Sequence, residues 1–450
     1  MASFNNDHKL RRCIAGCVVL IGCISPLTVL SADSVATRGL SLEDALHAVK
    51  QNDFRLKQFE EEALAFRAES EASTYLPDPT VFVGMQNLPT DTFAFDQEPM
   101  TNLRVGVRQM FPKGDLLDIQ SSMSGVQSEL QLGQSKLRWL AQKKQAEQAW
   151  LEAWYWQKKL ELLDEDQVFI QQVHDFIRSL YEVGAKDQSD LIGAQLEMVK
   201  LSESRIEATR KHQLFRQQLN TLANQVLAGD KLTDALPLLS GVDLTVLDAS
   251  QIDMYLLRHP QLVLLDQQIT LAQKKADLVE QDFEPAWGLE LSYGLRDGEN
   301  ANGSSRPDFF SAGVNFQMPL FSDGKQSQNH VAAKQRTSVA TLQRDEALSQ
   351  MRFEAESLLQ QYRSTIEQRS LYEGEIIPAL EKQRKSALQS YESDRGDFRL
   401  VMTLLLKEQG AKAMRQRLRV DEQKLISSLN YLLGISSTNT ETGVPTHHEN

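Results

Sequence analysis

Trp287-Gly288-Leu289-Glu290-Leu291-Ser292-Tyr293-Gly294-Leu295 puts an apolar residue at every odd number and a small or polar one at every even number. Phe310-Ser311-Ala312-Gly313-Val314-Asn315-Phe316-Gln317-Met318 alternates in the same way. Period two predicts strands at 287–295 and 310–318 with one apolar and one polar face. A strand that crosses a membrane needs about 9–11 residues, which matches these runs. Trp287, Tyr293, Phe309 and Phe310 suit the aromatic girdles of such strands. An earlier pair, 80–88 and 102–110, alternates less cleanly. There Arg104 and Arg108 share one face with Gly106, opposite Val105 and Val107, and would face a lumen. Four strands cannot close a barrel, and open edges are not tolerated in lipid. If these strands span, several protomers must share one barrel. A soluble hairpin packed on helices with one wet face fits the alternation equally well, so the decision rests on the rest of the chain.

Outward from the strands the sequence is helical. Leu40-Ser41-Leu42-Glu43-Asp44 opens a helix over about 41–76, with Ser41 as N-cap and Asp44 at the third position, and Pro77-Asp78-Pro79 ends it. A much longer helix is expected over about 115–182, a turn at Gly184, and a further helix over about 189–224. At 1.5 Å per residue the longer one spans on the order of 100 Å. Such a rod needs partners along its length, as in a coiled coil or bundle. The same plan recurs with a helix to Phe283, a helix from about Lys325 to Tyr391, a turn near Gly396 and a helix to Leu433. Short matches mark the recurrence. Val105-Gly106-Val107-Arg108-Gln109-Met110-Phe111-Pro112 returns as Ala312-Gly313-Val314-Asn315-Phe316-Gln317-Met318-Pro319, and Leu219-Asn220-Thr221-Leu222 returns as Leu429-Asn430-Tyr431-Leu432. The offsets of 207 and 210 argue for an internal two-fold repeat. The expected domains are repeats at 40–228 and 248–435, a Leu/Pro/Gly/Asp linker at 229–247 and a flexible polar tail at 436–450.

The chain opens like an export signal, residues 1–32, with basic Lys9, Arg11 and Arg12 before the apolar run Cys13–Ile24. That run is shorter than the roughly 20 residues of a spanning helix. Leu20-Ile21-Gly22-Cys23 reads as a lipobox that would make Cys23 a lipidation site, in competition with cleavage near Ala32. All three cysteines precede residue 24, so the rest of the chain can form no disulfide and offers no cysteine nucleophile or zinc ribbon. A net charge of −13 disfavours nucleic acid as a partner. No Gly-rich phosphate loop, His-Glu-x-x-His or converging Ser/His/Asp set points to an enzyme or a cofactor. His47, His174, His212, His259 and His330 stand apart, which speaks for packing or surface roles. Trp150, Trp154 and Trp156, at helical spacing with Tyr155, read as core.

The ordered set of features resembles the TolC family of outer-membrane efflux proteins over about residues 40–435. Its carriers are Leu40-Ser41-Leu42-Glu43-Asp44-Ala45-Leu46, the Leu76-Pro77-Asp78-Pro79 break, and Tyr181-x-x-Gly184 running to Asp190-Leu191 and Ala194-Gln195. The resemblance implies a mainly α protein with β: a homotrimer with a shared twelve-stranded barrel in outer-membrane lipid and a periplasmic α-barrel. It also implies a periplasmic adaptor (membrane fusion) protein and an inner-membrane efflux pump, of the resistance-nodulation-division class, as partners. The segment from Asn87-Leu88-Pro89 to Gln109-Met110-Phe111-Pro112 looks like the branch that serves heavy-metal pumps. In this family the helix–turn–helix tips form the periplasmic aperture and the adaptor dock. Here those tips are Tyr181–Gln195 and Tyr391–Leu404, with Gly184, Asp187, Asp190, Asp394, Gly396 and Asp397 as candidate residues. Gly193, Leu400 and Thr403 depart from the acidic pattern of other members. Tripled by symmetry, the aspartates would favour cations; as turn residues they would be helix caps. A periplasmic coiled-coil scaffold and a channel for drugs or type I protein secretion are the competing readings.

Overall fold

The computed structural model describes residues 39–435 apart from 185, 186, 230, 240, 242, 243, 245, 246 and 394. The export signal, Cys23, Asp394 and the tail after Ile435 therefore lie outside the described residues.

The first half runs α1 (Leu42–Gln51), α2 (Phe54–Ala72), β1 (Thr80–Gln86), β2 (Asn102–Phe111), α3 (Leu116–Glu182) and α4 (Gln188–Leu222). The second runs α5 (Ala249–Leu256), α6 (Pro260–Glu280), β3 (Ala286–Leu295), β4 (Phe309–Gln317), α7 (Lys325–Leu371), α8 (Ile377–Glu392) and α9 (Phe398–Leu432). Among the described residues no helix is long and apolar enough to cross a membrane.

Three expected helices are interrupted. The stretch 41–76 is two helices. Ser41 caps the first, accepting the Asp44 N–H at 3.1 Å, as its sequence position suggests. Asp53 then stops it and caps the second, accepting the N–H groups of Arg55 and Leu56. The second ends at Ala72, short of Leu76. The helix up to Phe283 also has two parts. His259 caps the second by accepting the Gln261 N–H at 3.1 Å, its other ring nitrogen lies 3.1 Å from the Tyr431 carbonyl, and Pro260 follows at the first helical position. The helix expected from Lys325 to Tyr391 breaks at a π-turn, Tyr372–Ile376. Pro378 has no N–H to give the preceding turn, and a widened turn accommodates that loss.

α3 is the spine. Its 67 residues make a rod of about 100 Å, against which α1, α2, α4, α6 and α9 pack. Its middle holds the largest buried side chains. Trp150 is fully buried and donates to the Leu40 carbonyl at 3.2 Å; Trp154 donates to the Thr233 carbonyl at 3.1 Å. Trp154 thus holds the segment between the halves, whose Leu232 lies in the same core and bridges to Leu40, the residue that Trp150 holds.

α3 and α9 are joined by ions as well as by apolar contacts. Glu152, a tenth exposed, accepts both terminal nitrogens of Arg417 at 2.8 Å and the Lys424 ammonium at 2.5 Å. Arg417 also pairs with Asp421 and lies over the Tyr155 ring. Burial alone would raise the pKa of the Glu152 carboxyl, but hydrogen bonds and charge from Arg417 and Lys424 together outweigh it and hold the group below its ordinary value. Removing one partner of a buried cluster strands the others. Glu152→Ala is expected to cost about 3 kcal/mol, read as a lower denaturation temperature of the extracted protein. Lys200→Ala breaks only the exposed pair with Glu197 and should cost less than about 0.5 kcal/mol.

Candidate functional site

The strands form one antiparallel sheet in the order β1-β2-β3-β4. Its register decides which side chains share a face. Val83 pairs with Val105, Val105 with Tyr293, Tyr293 with Phe310, and one step along Val107 pairs with Leu291 and Leu291 with Ala312. Most apolar residues of the four strands thus lie on one face, with Phe82, Met110 and Phe309 on the other. Phe82, Gly106, Ser292 and Ser311 align on the other, as do Arg108, Glu290 and Gly313.

The burial of these faces is the reverse of a soluble sheet. Val81 and Val83 are each 66% exposed, Phe316 is 66% exposed and Phe310 is 71% exposed. Along β3 every apolar side chain from Trp287 to Leu295 is exposed, while Gly288, Ser292 and Gly294 are buried. Long side chains on the polar face cover these small residues. A Cβ on Gly288 would fall 2.5 Å from Met110 Sδ, and one on Gly294 would fall 3.0 Å from Asn102 Oδ1. A continuous apolar surface of this extent on a soluble protein needs a partner.

Aromatic residues mark both ends of the apolar face. Phe111 stacks on Trp287 with ring centroids 4.0 Å apart, and Trp287 pairs in register with Phe316. Six residues along β3, Tyr293 pairs with Phe310 and donates its hydroxyl to Asp308 at 2.7 Å. The ten residues of β3 extend about 33 Å, or about 25 Å in height at the usual tilt near 40°. That is the height of the apolar band of a membrane barrel. The loops at one end, 87–101 and 296–308, are tied together: Arg306 donates to the Asp96 carbonyl at 2.9 Å and Arg296 to the Pro99 carbonyl at 2.6 Å. The other end of each strand leads toward the helices.

The second candidate region is the pair of helical tips. Sequence reasoning treated them separately; the fold brings them together. Ile170 and Ile177 of α3, Ala194 of α4, Tyr391 of α8, and Phe398 and Val401 of α9 form one buried cluster. Gly184 closes α3 at φ +76°, with its N–H on the Tyr181 carbonyl at 2.9 Å. Asp187 is the N-cap residue of α4 and makes no side-chain capping bond; its carbonyl accepts the Asp190 N–H at 3.2 Å. Asp397 caps α9 through the Arg399 N–H at 2.9 Å. Gly396 sits where a Cβ would come within 2.7 Å of the Tyr391 backbone nitrogen, so the chain can reverse this tightly only with glycine there. Leu400 is half exposed, and the Thr403 hydroxyl is turned back to the Arg399 carbonyl.

Some site residues were missed from sequence. Glu290 holds both Arg104 and Arg108; its signal was that it is the one charge in an otherwise uncharged strand. Asp166, below the tips on α3, is buried, and its Oδ1 has no hydrogen-bond partner. Lys159 and Glu165 of α3 and Glu408 and Lys412 of α9 surround it, and Glu408 is already held by Arg384 and Lys412. Burial pushes the Asp166 carboxyl up to about 6. An acid with a raised folded-state pKa weakens the fold as pH rises from its unfolded value through 6, and the full cost is present above that. Asp166→Asn should therefore raise the denaturation temperature at pH 8, with the gain shrinking toward zero below pH 4. Melting curves at three pH values read it.

No protein-family model matches the sequence, and no curated protein matches it. Solved structures do. The outer-membrane channel OprN superposes with a TM-score of 0.73 at 15% identity, covering 88% of this chain and 90% of that one. The outer membrane protein VceC from Vibrio cholerae gives 0.72 at 13% identity, covering 87% of this chain and 96% of that one. The Campylobacter jejuni CmeC outer membrane channel gives 0.71 at 14%, covering 87% and 85%. The chain has the fold of these outer-membrane proteins along nearly its whole described length.

Proposed function

We propose that this chain is one protomer of a trimeric outer-membrane efflux duct, a passive conduit of a tripartite system with no catalytic step or cofactor of its own. The carrying observation is the sheet: an apolar face left exposed on all four strands, a polar face covered along β3, and β1 and β4 each with one edge that no described strand pairs. Lipid is the surrounding that favours such a face, and a closed barrel is the arrangement that satisfies such edges. Three copies joined β4 to β1 supply both. The scaffold reading leaves the exposed valines and aromatics in water and accounts for neither edge. The fold shared with OprN, VceC and CmeC supports the duct.

In this reading the loops 87–101 and 296–308 lie outside the cell and α3, α4, α8 and α9 extend into the periplasm. Their paired tips meet a periplasmic adaptor and, through it, an inner-membrane pump that supplies the energy. Gly184, Asp187, Asp190, Gly396 and Asp397 form the aperture region, and Asp394, outside the described residues, is kept as a candidate from sequence. Cys23 is the proposed lipid attachment site, and the repeat and linker boundaries stand as proposed from sequence. The heavy-metal assignment rests on the resemblance of residues 87–112, which form the first loop and β2.

Two experiments test this. Native mass determination of detergent-extracted protein from fractionated membranes should find a trimer in the outer-membrane fraction; a soluble monomer or dimer overturns the duct. At the tip, Gly184→Pro forces a φ near −65° onto a residue at +76°. It should abolish efflux complementation at normal protein levels, and unchanged efflux would remove the turn from the adaptor end.

A further inference from the structure

The four strands carry three charged side chains: Arg104, Arg108 and Glu290. All three lie on the polar face, near the middle of β2 and β3, and Glu290 binds both arginines. Arg104 donates to Glu290 Oε1 at 2.5 Å and to the Ser292 hydroxyl at 2.8 Å. Arg108 donates through two nitrogens to Glu290 Oε2 at 2.8 and 2.5 Å. Both guanidinium groups also lie over the Phe82 ring, at 5.2 and 5.9 Å from its centroid. The ring has room because residue 106, between the two arginines, is glycine: a Cβ there would fall 2.4 Å from the Phe82 ring edge. Phe82 and Gly106 thus form a seat that fixes the guanidinium groups in place.

The charges in this cluster do not cancel toward the open side. Glu290 is 12% exposed beneath its partners, whereas Arg104 is 26% exposed and Arg108 47% exposed. The carboxylate is masked and one guanidinium is in excess. Mid-strand charge on a spanning sheet is tolerated where it lines water.

We propose that Arg104, Arg108 and Glu290 form a fixed cationic girdle in the barrel lumen that sets charge preference, easing anionic and neutral solutes through and raising the barrier to free cations. The proposal rests on the duct reading, which places this face in the lumen. It bears directly on the cargo: a girdle of one excess positive charge per protomer is opposite in sign to what free heavy-metal cations would need.

The test is ion selectivity of the purified trimer in planar bilayers under a potassium chloride gradient. Four forms are compared: the unaltered protein, Arg108→Gln, Arg104→Gln/Arg108→Gln and Glu290→Gln. The double variant should lower the chloride-to-potassium permeability ratio by about threefold or more, Arg108→Gln by less, and Glu290→Gln should raise it, as expected for a ring of like charge within about one Debye length of the permeating ion. Because the tips contribute their own field, the readout is the difference among variants. Arg108→Gln keeps the Arg104–Glu290 pair and so guards against loss of folding in the double variant. Conducting trimers whose permeability ratio does not move in any variant would overturn the girdle and leave the duct standing. Inserted protein that forms no conducting trimer would overturn the duct, and the girdle with it.

Discussion

In the duct reading, backbone hydrogen bonding in a medium without water is the constraint on which this molecule depends. The β1-β2-β3-β4 sheet satisfies its inner ladders but leaves an edge at each end, and the side chains of its apolar face are exposed. Each feature alone is unfavourable in water. Together they fit the proposed component, stable when lipid covers the apolar face and further copies of the chain cover the edges. The polar face meets the opposite demand. Its small residues lie beneath Arg104, Met110 and Phe82, and its three charges are gathered into one cluster.

The helices answer a different problem. A 67-residue helix cannot be stabilised by its own propensity, and the low amphipathic contrast of α3 reflects contacts on several sides along its length. Large apolar anchors hold it near its middle at Trp150 and Trp154, and another apolar cluster holds it at its tip around Ile170 and Ile177. Beside the tryptophan anchors α3 is joined to α9 by ions, through Glu152 with Arg417 and Lys424, and nearer the tip Glu408 of α9 is held by Arg384 of α8 and Lys412 of its own helix. Buried ion clusters contribute little net stability compared with apolar packing but penalise every misaligned arrangement. This section of the rod is therefore suited to holding register between long helices. Asp166 is the unbalanced member, with a carboxylate oxygen left unpartnered.

Much of this was legible in the sequence, for a physical reason. β3 and β4 were found to within a residue because strict period-two alternation over nine residues is a pattern that a helix, with its period of 3.6, does not produce. The long helices and the turns at Gly184 and Gly396 were found because rods of that length and their glycine stops are local signals. The breaks were not. Asp53 is an N-cap inside a run of helix formers, and its break spans only Asn52 and Asp53, too short to disturb the periodicity. The π-turn at Tyr372–Ile376 could have been suspected from Gly374 and Pro378. What the sequence could not reveal was pairing across distance. Arg104 and Glu290 are 186 residues apart, and the strand register alone sets them side by side. The meeting of the two helical tips is likewise a tertiary fact with no local signature.

The inverted sheet can be read directly, because no cysteine follows Cys23 in the chain. Single cysteines at successive positions 287–294, spin-labelled in the protein reconstituted in bilayers, would report contact with oxygen in lipid and with a water-soluble relaxation agent. A lipid-facing apolar side predicts a period of two: oxygen contact high at 287, 289, 291 and 293, and contact with the aqueous agent high, relative to those sites, at 288, 290, 292 and 294. Uniform access of the aqueous agent to both sets would contradict it and place the apolar face against water or another protein.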